Sequence, residues 1–137
     1  MGRKKKTTKK RIFAFLTALI LIIIFIGIYD LSHTTLEEAP HGKLIKTYDS
    51  PTHAYTARAF LINNGGATIR TAIRVDIVFN NQKDKPPKTI YFEYDRSEPE
   101  ITWLSPHVIQ IYNHKLNIFK DTYNWQNDKN WDKERHE

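Results

Sequence analysis

The sequence ATIRTAIRVDIVFN, residues 67–80, alternates between two kinds of side chain and decides the fold of most of the chain. The odd-numbered positions are apolar except for Thr71, whereas the even-numbered positions include Arg70, Arg74 and Asp76. Side chains of a β-strand point to opposite faces with a period of two. The stretch therefore predicts a long strand with one buried face and one mostly solvated face.

Strand-like segments lie on both sides of this stretch. Upstream, AYTARAFLI at residues 54–62 is rich in bulky residues, and it is joined by Asn63-Asn64-Gly65-Gly66. Asn and Gly tolerate the positive φ angles of tight hairpin turns, so residues 63–66 predict a hairpin. Downstream, KTIYFEY at residues 88–94 alternates again, and its pattern places Ile90, Phe92 and Tyr94 on the inward face.

Shorter strand-like segments complete the body, and Pro, Ser, Asn and Asp in the turns separate them. They are residues 42–48, 101–104, 108–112 and 115–119. We expect an all-β domain at residues 43–125 with about six antiparallel strands in meander order, folded as a curled sheet or small sandwich. Residues 126–137 are polar with Trp131 as the one large apolar group, which predicts a frayed C-terminal tail.

The order of these segments resembles a family of small membrane-anchored proteins of Gram-positive bacteria that is catalogued as a domain of unknown function. The resemblance is carried by SPTHAYTARAFLINNGGATIRTAIRVDIVF, KTIYFEY and EITWLSPHVIQIYNHKLNI, within residues 43–125. Its recurring features correspond to Asn64-Gly65-Gly66-Ala67-Thr68, Trp103 and Asn113-His114-Lys115-Leu116. The resemblance implies a fold and an N-terminal anchor, and it implies no activity and no catalytic residue.

The segment IFAFLTALILIIIFIGIY, residues 12–29, is almost uninterrupted in its apolar character. At about 1.5 Å of rise per residue its helix would reach roughly 27 Å, close to the hydrocarbon thickness of a bilayer. A transmembrane helix that serves as an uncleaved signal-anchor is the favoured interpretation, and in it Thr17 satisfies its hydroxyl on a preceding carbonyl. Two alternatives are a cleaved signal peptide, although no small-x-small site follows Tyr29, and a buried helix, which a domain this small could not enclose.

The charge of the chain is concentrated before this segment. Seven of the 21 Lys and Arg residues lie in the first eleven positions, so residues 12–137 carry 14 basic and 15 acidic side chains, a net charge of −1. The positive-inside rule then predicts a cytoplasmic N-terminus and an extracytoplasmic body at the cell membrane, in contact with lipid through residues 12–29. We expect a basic tail at 1–11, the transmembrane helix at 12–29, a juxtamembrane linker at 30–42, the β-domain at 43–125 and the polar tail at 126–137.

A near-neutral body also argues against nucleic acid as a partner, because a nucleic-acid-binding domain carries its own basic face. The chain contains no cysteine, which excludes disulfides, thiol nucleophiles and Cys-based zinc sites. No motif for a metal or a cofactor is present, and we expect none. A cysteine-free extracytoplasmic domain fits the bacterial cell envelope.

Two Ser/His pairs are the only candidates for nucleophilic chemistry. They are Ser50 with His53 and Ser105 with His107, and in both pairs a proline follows the serine. No G-x-S-x-G elbow surrounds either serine, and turn roles explain both pairs. We predict no catalytic residue and no enzyme.

Charged residues on the predicted solvated face of adjacent strands form a candidate interaction face. Its members are Arg58, Arg70, Arg74, Asp76 and Glu93. Such residues form either a cross-strand charge ladder that keeps the face soluble or a patch for an envelope protein or an anionic wall polymer. The main hypothesis is a non-catalytic interaction or accessory module at the envelope, and the alternative is a small envelope enzyme or ligand-binding receptor that uses the turn Ser and His residues.

Overall fold

A computed structural model describes residues 2–32, 35–63, 65 and 70–134. The chain divides into two compact units, residues 1–34 and 35–137. The first is a single helix and the second is mostly sheet. The predicted hairpin at 63–66 and the start of the predicted strand at 67–69 lie largely outside the described residues.

The first unit is helix α1, Gly2–Ser32, which is longer than predicted because it includes the basic residues that precede the apolar segment. Within it, Thr7–Tyr29 is long and apolar enough to cross a membrane, and none of this segment is buried within the structure. At ~1.5 Å per residue these 23 residues extend about 34 Å. The Thr17 hydroxyl donates to the Phe13 carbonyl at 2.9 Å, as predicted.

The second unit contains, among the described residues, eight strands in two sheets and no barrel, so the predicted all-β class is confirmed. The strands are β1 Lys43–Asp49, β2 Tyr55–Ile62, β3 Ala72–Phe79, β4 Lys88–Tyr94, β5 Ile101–Ser105, β6 Val108–Ile111, β7 His114–Asn117 and β8 Tyr123–Asn124. The first sheet has the order β1-β2-β3-β4-β8 and the second the order β5-β6-β7. Each begins as the predicted antiparallel meander, but β8 pairs with β4 in parallel, which the sequence did not predict.

The main core lies between the two sheets, on what we call the inner face of the five-stranded sheet. Strand β3 contributes Ile73, Val75, Ile77 and Phe79, the apolar set of the alternating sequence. The three-stranded sheet and the turn after it contribute Ile101, Ile109, Ile111, Leu116 and Ile118. The alternation of β3 therefore predicted the buried face correctly.

The outer face of the five-stranded sheet is also covered in part, which the sequence interpretation did not anticipate. A 3₁₀ helix at Leu36–Glu38 and the buried Ala39 pack there against Ile62, Ala72 and Phe92. The predicted linker at 30–42 thus contributes, from Leu36 to Ala39, to a second apolar cluster. Trp125, at the start of a 3₁₀ helix that ends at Asn127, packs against the same cluster.

The described part of the C-terminal segment, which extends to Glu134, is folded, whereas the sequence predicted a frayed tail. After β8 and the second 3₁₀ helix, Trp131–Glu134 forms helix α2. The ring of Trp131 packs 4.8 Å from that of Trp125 and 6.2 Å from that of Tyr94, measured between centroids. These aromatic contacts hold residues 125–131 on the sheet despite their polar neighbours.

A β-bulge in β4 changes which side chains face the core. Val75 pairs with Tyr91 and Asp76 pairs with Thr89, so Ile90 is the extra residue between two residues of β3. The bulge places Tyr91 and Glu93 on the inner face, opposite Val75 and Ile73. The predicted inward positions of Phe92 and Tyr94 are therefore wrong, because both lie on the outer face.

Candidate functional site

The five charged residues of the candidate interaction face do not form one solvated face. Arg74 and Asp76 are 7% and 6% exposed on the outer face, and Glu93 is 2% exposed on the inner face. Arg58 is half-buried, and Arg70 is exposed and forms an ion pair with Asp95 at 3.0 Å. The predicted solvation of Arg74, Asp76 and Glu93 is wrong, because the segment before β1 covers Arg74 and Asp76 on the outer face and the bulge turns Glu93 inward.

Arg74 and Asp76 form a buried ion pair on the outer face. Arg74 Nε donates to Asp76 Oδ1 at 2.8 Å, and its terminal nitrogen Nη2 donates to Oδ2 at 3.2 Å. Thr89 accepts from the same Nη2 at 2.8 Å and donates to Asp76 Oδ1 at 2.9 Å. A buried charge is tolerated when it is paired and its remaining lone pairs and protons are satisfied, and this geometry meets both conditions.

The same guanidinium also binds the segment that precedes β1. Its Nη1 donates to the Ala39 carbonyl at 2.8 Å and lies 3.4 Å from Nδ1 of His41. Ala39 is itself buried in the apolar cluster of the outer face. Residues 39–41 are therefore held on the sheet by the polar contacts of Arg74 and by the apolar packing of Ala39. We call Arg74, Asp76, Thr89 and Ala39 the outer cluster.

Glu93 is the centre of a second buried network, on the inner face. Its Oε2 accepts from the Tyr91 hydroxyl and, at 2.9 Å, from Arg96 Nε. Its Oε1 accepts from the indole Nε1 of Trp131 at 3.2 Å. A sequence separation of 38 residues is bridged by this last bond, so the carboxylate fixes α2 to the sheet. We call Tyr91, Glu93, Arg96 and Trp131 the inner cluster.

Further aromatic side chains surround the inner cluster. The Tyr123 ring stacks on Tyr91 and on His114, and its hydroxyl donates to Asp128 Oδ2 at 2.9 Å. Arg96 lies 4.1 Å from the ring centroid of Tyr112. Direct contacts thus link seven titratable groups in this region: Tyr91, Glu93, Arg96, Tyr112, His114, Tyr123 and Asp128.

Burial changes the acidity of several of these groups. It raises the pKa of the Tyr112 hydroxyl to about 12. Burial, followed by the hydrogen bond to Glu93, raises the pKa of Tyr91, and burial with the hydrogen bond to Asp128 raises that of Tyr123. Burial also lowers the pKa of His114, which favours its neutral ring. All four shifts favour uncharged side chains, as expected for groups that pack rather than exchange protons with solvent.

The two Ser/His pairs serve as turn residues. The Ser50 hydroxyl oxygen accepts from the Tyr55 amide at 3.1 Å, and that of Ser105 accepts from the Val108 amide at 3.1 Å. The ring of His107 packs against Tyr55 and Phe119. The hydrogen bonds within each pair use the histidine backbone: the His53 amide donates to the Ser50 carbonyl at 2.9 Å, and the His107 amide donates to the Ser105 hydroxyl oxygen at 3.4 Å. In the described ranges, no hydrogen bond joins an imidazole ring nitrogen to either serine. The same ranges contain no group of three His, Asp or Glu residues that could hold a metal ion.

Sequence reasoning missed Thr89, Ala39 and Trp131 as members of the two clusters. For Thr89 and Ala39 the sequence contains no distinguishing signal, because a threonine in a strand and an alanine before a proline are ordinary. For Trp131 a signal exists: two tryptophans six residues apart, Trp125 and Trp131, are unusual in a polar segment and indicate that it packs on the domain.

Comparison with known proteins gives one match. The model of a family of unknown function, DUF5412, matches residues 6–128 and so includes most of α1 together with all eight strands. The match supports the resemblance to a domain of unknown function and extends it beyond residues 43–125. No curated protein and no solved structure matches the chain.

Proposed function

The chain belongs to DUF5412, a family of unknown function, and from its own structure we propose that it is a single-pass membrane protein that presents a non-catalytic β-sandwich outside the cell. One observation carries this proposal. A helix with a 23-residue segment apolar enough to cross a membrane, none of it buried, precedes in the sequence a separate sheet unit with its own core. An apolar helical segment of this length with none of its residues buried finds its natural environment in lipid.

The orientation follows from charge. Seven cations and no acidic residue precede Ile12. Under the positive-inside rule, the N-terminus lies in the cytoplasm and residues 35–137 are extracytoplasmic. This arrangement is that of a signal-anchor in the envelope of a bacterium, which the family resemblance also implies.

The role of an interaction or accessory module is supported by what the buried charges do. Arg74 and Asp76 bond one another and residues 39–41, and Glu93 bonds Tyr91, Arg96 and Trp131. Each of these charges therefore bonds groups that hold a segment of the chain on the sheet, which is a structural role. The accessible members of the original face are Arg58 and Arg70, and these are the residues we assign to contact with an envelope protein or an anionic wall polymer.

Arg58 has a further feature that suits it to a partner. Its Nε is buried and has no hydrogen-bond partner among the described residues, while its guanidinium carbon lies 5.4 Å from the Phe60 ring centroid. A guanidinium has terminal N–H groups besides Nε, and these are the donors that would bind a carboxylate or phosphate of a partner.

Single-cysteine labelling tests the anchor and its orientation, and the absence of native cysteine makes the test clean. The variants Thr7→Cys and Lys83→Cys place a thiol before the uncharged apolar residues 12–29 and in the loop between β3 and β4. A membrane-impermeant maleimide added to intact cells should label only Lys83→Cys, and both variants should react after permeabilisation. Labelling of Thr7→Cys in intact cells would contradict the proposed topology and indicate an extracytoplasmic N-terminus. A fragment in the medium that starts between residues 31 and 42 would indicate a cleaved signal peptide instead of an anchor.

In-cell cross-linking tests the interaction role. The double variant Arg58→Gln/Arg70→Gln should reduce cross-linked species, whereas His53→Asn and His107→Ala should leave them and any cellular phenotype unchanged. Asn is chosen at position 53 because this residue has a φ of 57°, a left-handed conformation that Asn tolerates. Loss of the phenotype in the two histidine variants alone would favour the envelope-enzyme alternative.

A further inference from the structure

A polar groove lies in the second unit, residues 35–137, which we call the β-unit. It is found where the edge strand β1 meets the three-stranded sheet. Its volume is about 330 Å³, at the small end of the ~300–1,000 Å³ range of ligand sites. Six of the residues that line it carry its chemistry: Lys46, Tyr48, Glu100, Thr102, Gln110 and Tyr112. None of them belongs to the inner or the outer cluster.

The wall of the groove is built by hydrogen bonds to three consecutive carbonyls. The hydroxyls of Tyr112 and Tyr48 donate to the carbonyls of Glu98 and Pro99, and the Tyr112 amide donates to the carbonyl of Glu100 at 2.9 Å. The indole of Trp103 closes the neighbouring junction by donating to the Tyr48 carbonyl at 3.1 Å. The backbone that carries the Glu100 side chain is therefore fixed before any ligand arrives, which lowers the ordering cost of binding.

Tyr112 has a strained backbone at this position. Its φ is 50°, in the left-handed region that a bulky side chain rarely adopts. Such strain costs free energy and persists where surrounding contacts enforce it, and it clusters at ligand sites. Here the contacts that enforce it are the two hydrogen bonds to Glu98 and Glu100 and the packing of Arg96 on the ring.

The groove carries two opposite charges that are not paired with each other. Lys46 and Glu100 are both exposed, and within the described residues neither forms an ion pair at 4.0 Å or less. Gln110, which lines the same groove, donates its side-chain NH₂ to the Tyr112 carbonyl at 3.0 Å, which leaves its side-chain oxygen as an acceptor. Thr102 adds a hydroxyl that can donate and accept.

We propose that this groove binds a small zwitterion of the amino-acid or short-peptide class, with its ammonium on Glu100 and its carboxylate on Lys46. The two free charges provide charge-assisted hydrogen bonds at both ends of such a ligand, and Thr102 and Gln110 suit the peptide groups between them. A neutral sugar fits less well, because a cation already lies over each tyrosine ring: Lys46 at 5.1 Å from Tyr48 and Arg96 at 4.1 Å from Tyr112. The inference rests on the proposed function in treating the β-unit as a binding module.

The test measures binding of L-alanyl-L-alanine to the purified full-length chain in nanodiscs by calorimetry. The N-acetylated dipeptide lacks the ammonium and the dipeptide amide lacks the carboxylate, so each removes one proposed contact. The wild-type chain should bind the dipeptide at least tenfold more tightly than either derivative. Absence of saturable binding, equal affinity for all three peptides, or preference for a neutral disaccharide would overturn the proposal.

Charge-neutralising variants assign each end of the ligand. Lys46→Gln should bind the dipeptide and its amide equally, and Glu100→Gln should bind the dipeptide and its N-acetyl derivative equally, each with at least a tenfold loss of dipeptide affinity. Lys46→Arg should retain most of the affinity. The matched controls are Lys43→Gln on the same strand and Glu98→Gln two residues before Glu100, because neither side chain lines the groove.

The result is independent of the labelling experiment that tests the anchor. Loss of affinity in Lys43→Gln equal to that in Lys46→Gln would show a general charge effect and overturn the assignment. A failure of all peptides to bind, with the labelling pattern as expected, would reject the ligand and leave the membrane topology intact.

Discussion

The two buried clusters of the five-stranded sheet perform the same mechanical task with different charge arrangements. The outer cluster binds the segment before β1 through Arg74 and Ala39, and the inner cluster binds the C-terminal helix through Glu93 and Trp131. In the outer cluster both members of the ion pair are buried, whereas in the inner cluster Glu93 is buried and Arg96 is 28% exposed in its side chain.

This difference in burial determines how much stability each cluster loses when one of its charged side chains is substituted. Where both charges are buried, loss of one leaves the other without partner or water. Where one partner reaches solvent, hydration replaces part of the lost interaction. We therefore expect the outer cluster to be the more sensitive of the two.

Among the substitutions considered, removal of the Asp76 carboxylate from the outer cluster should lower the free energy of unfolding the most. Asp76→Ala leaves the Arg74 guanidinium buried without its partner and should lower the free energy of unfolding by about 3–5 kcal/mol. Urea unfolding of the full chain, followed by near-UV circular dichroism, measures this change. The matched control is Asp84→Ala in the exposed loop after β3, which should change the stability by less than ~0.5 kcal/mol.

The double variant Arg74→Met/Asp76→Val separates the ion pair from the packing around it. Because it removes both charges and keeps an apolar volume, it should recover at least half of the loss seen in Asp76→Ala. If Asp76→Ala costs less than about 1 kcal/mol, the outer pair is hydrated in solution and the contrast between the clusters fails.

Substitution of Glu93, the carboxylate of the inner cluster, should lower the free energy of unfolding by less than substitution of Asp76. Glu93→Gln keeps an acceptor for Tyr91 or Trp131 but removes the charge that Arg96 bonds, so we expect a loss of about 1.5–3 kcal/mol. The same urea experiment measures it, with Glu98→Gln as the exposed control. If Glu93→Gln and Asp76→Ala lower the free energy of unfolding equally, hydration of Arg96 does not reduce the cost of losing its partner.

The sequence pattern predicted the face of β3 correctly and that of β4 incorrectly, and the reason is local. In β3 the alternation of Ile73, Val75 and Ile77 continues unbroken, so the period of two determines the buried face. In β4 one additional residue, Ile90, shifts the phase between Thr89 and Tyr91. No residue in KTIYFEY marks the bulge, because Ile90 is as suited to a regular strand as its neighbours.

The outer face shows a second limit of single-sequence reasoning. A strand with Arg74 and Asp76 between apolar residues is expected to face water, because periodicity reports polarity and not coverage. Here Ala39 and Thr89 supply the acceptor and the donor that make burial of the pair tolerable, and they come from 35 residues upstream and 15 residues downstream of Arg74. The sequence therefore predicted the residues of a charged cluster but not that the segment before β1 would cover it.

The two tryptophans of the C-terminal segment test the hydrogen bond of the inner cluster alone. Trp131→Phe removes the donor to Glu93 and keeps most of the ring, so it should cost about 1 kcal/mol more than Trp125→Phe. Trp125 is the matched control because its Nε1 is buried with no hydrogen-bond partner in the part of the chain that the structure describes. Equal costs in thermal unfolding would show that the indole of Trp131 contributes through packing alone.

The smallest effect at neutral pH concerns the tyrosines around the inner cluster, and it grows only in alkali. Burial raises the pKa of Tyr112 to about 12 and raises the pKa values of Tyr91 and Tyr123 as well, whereas an unfolded tyrosine ionises near ~10. The unfolded chain then loses protons first, so this contribution to stability is complete below about pH 10 and is lost as the pH rises through about 12. A tyrosinate absorbance titration should show these three tyrosines ionising together with unfolding. The outer cluster contains no tyrosine, so Tyr123→Phe should shift the alkaline transition upward and leave the cost of Asp76→Ala at neutral pH unchanged.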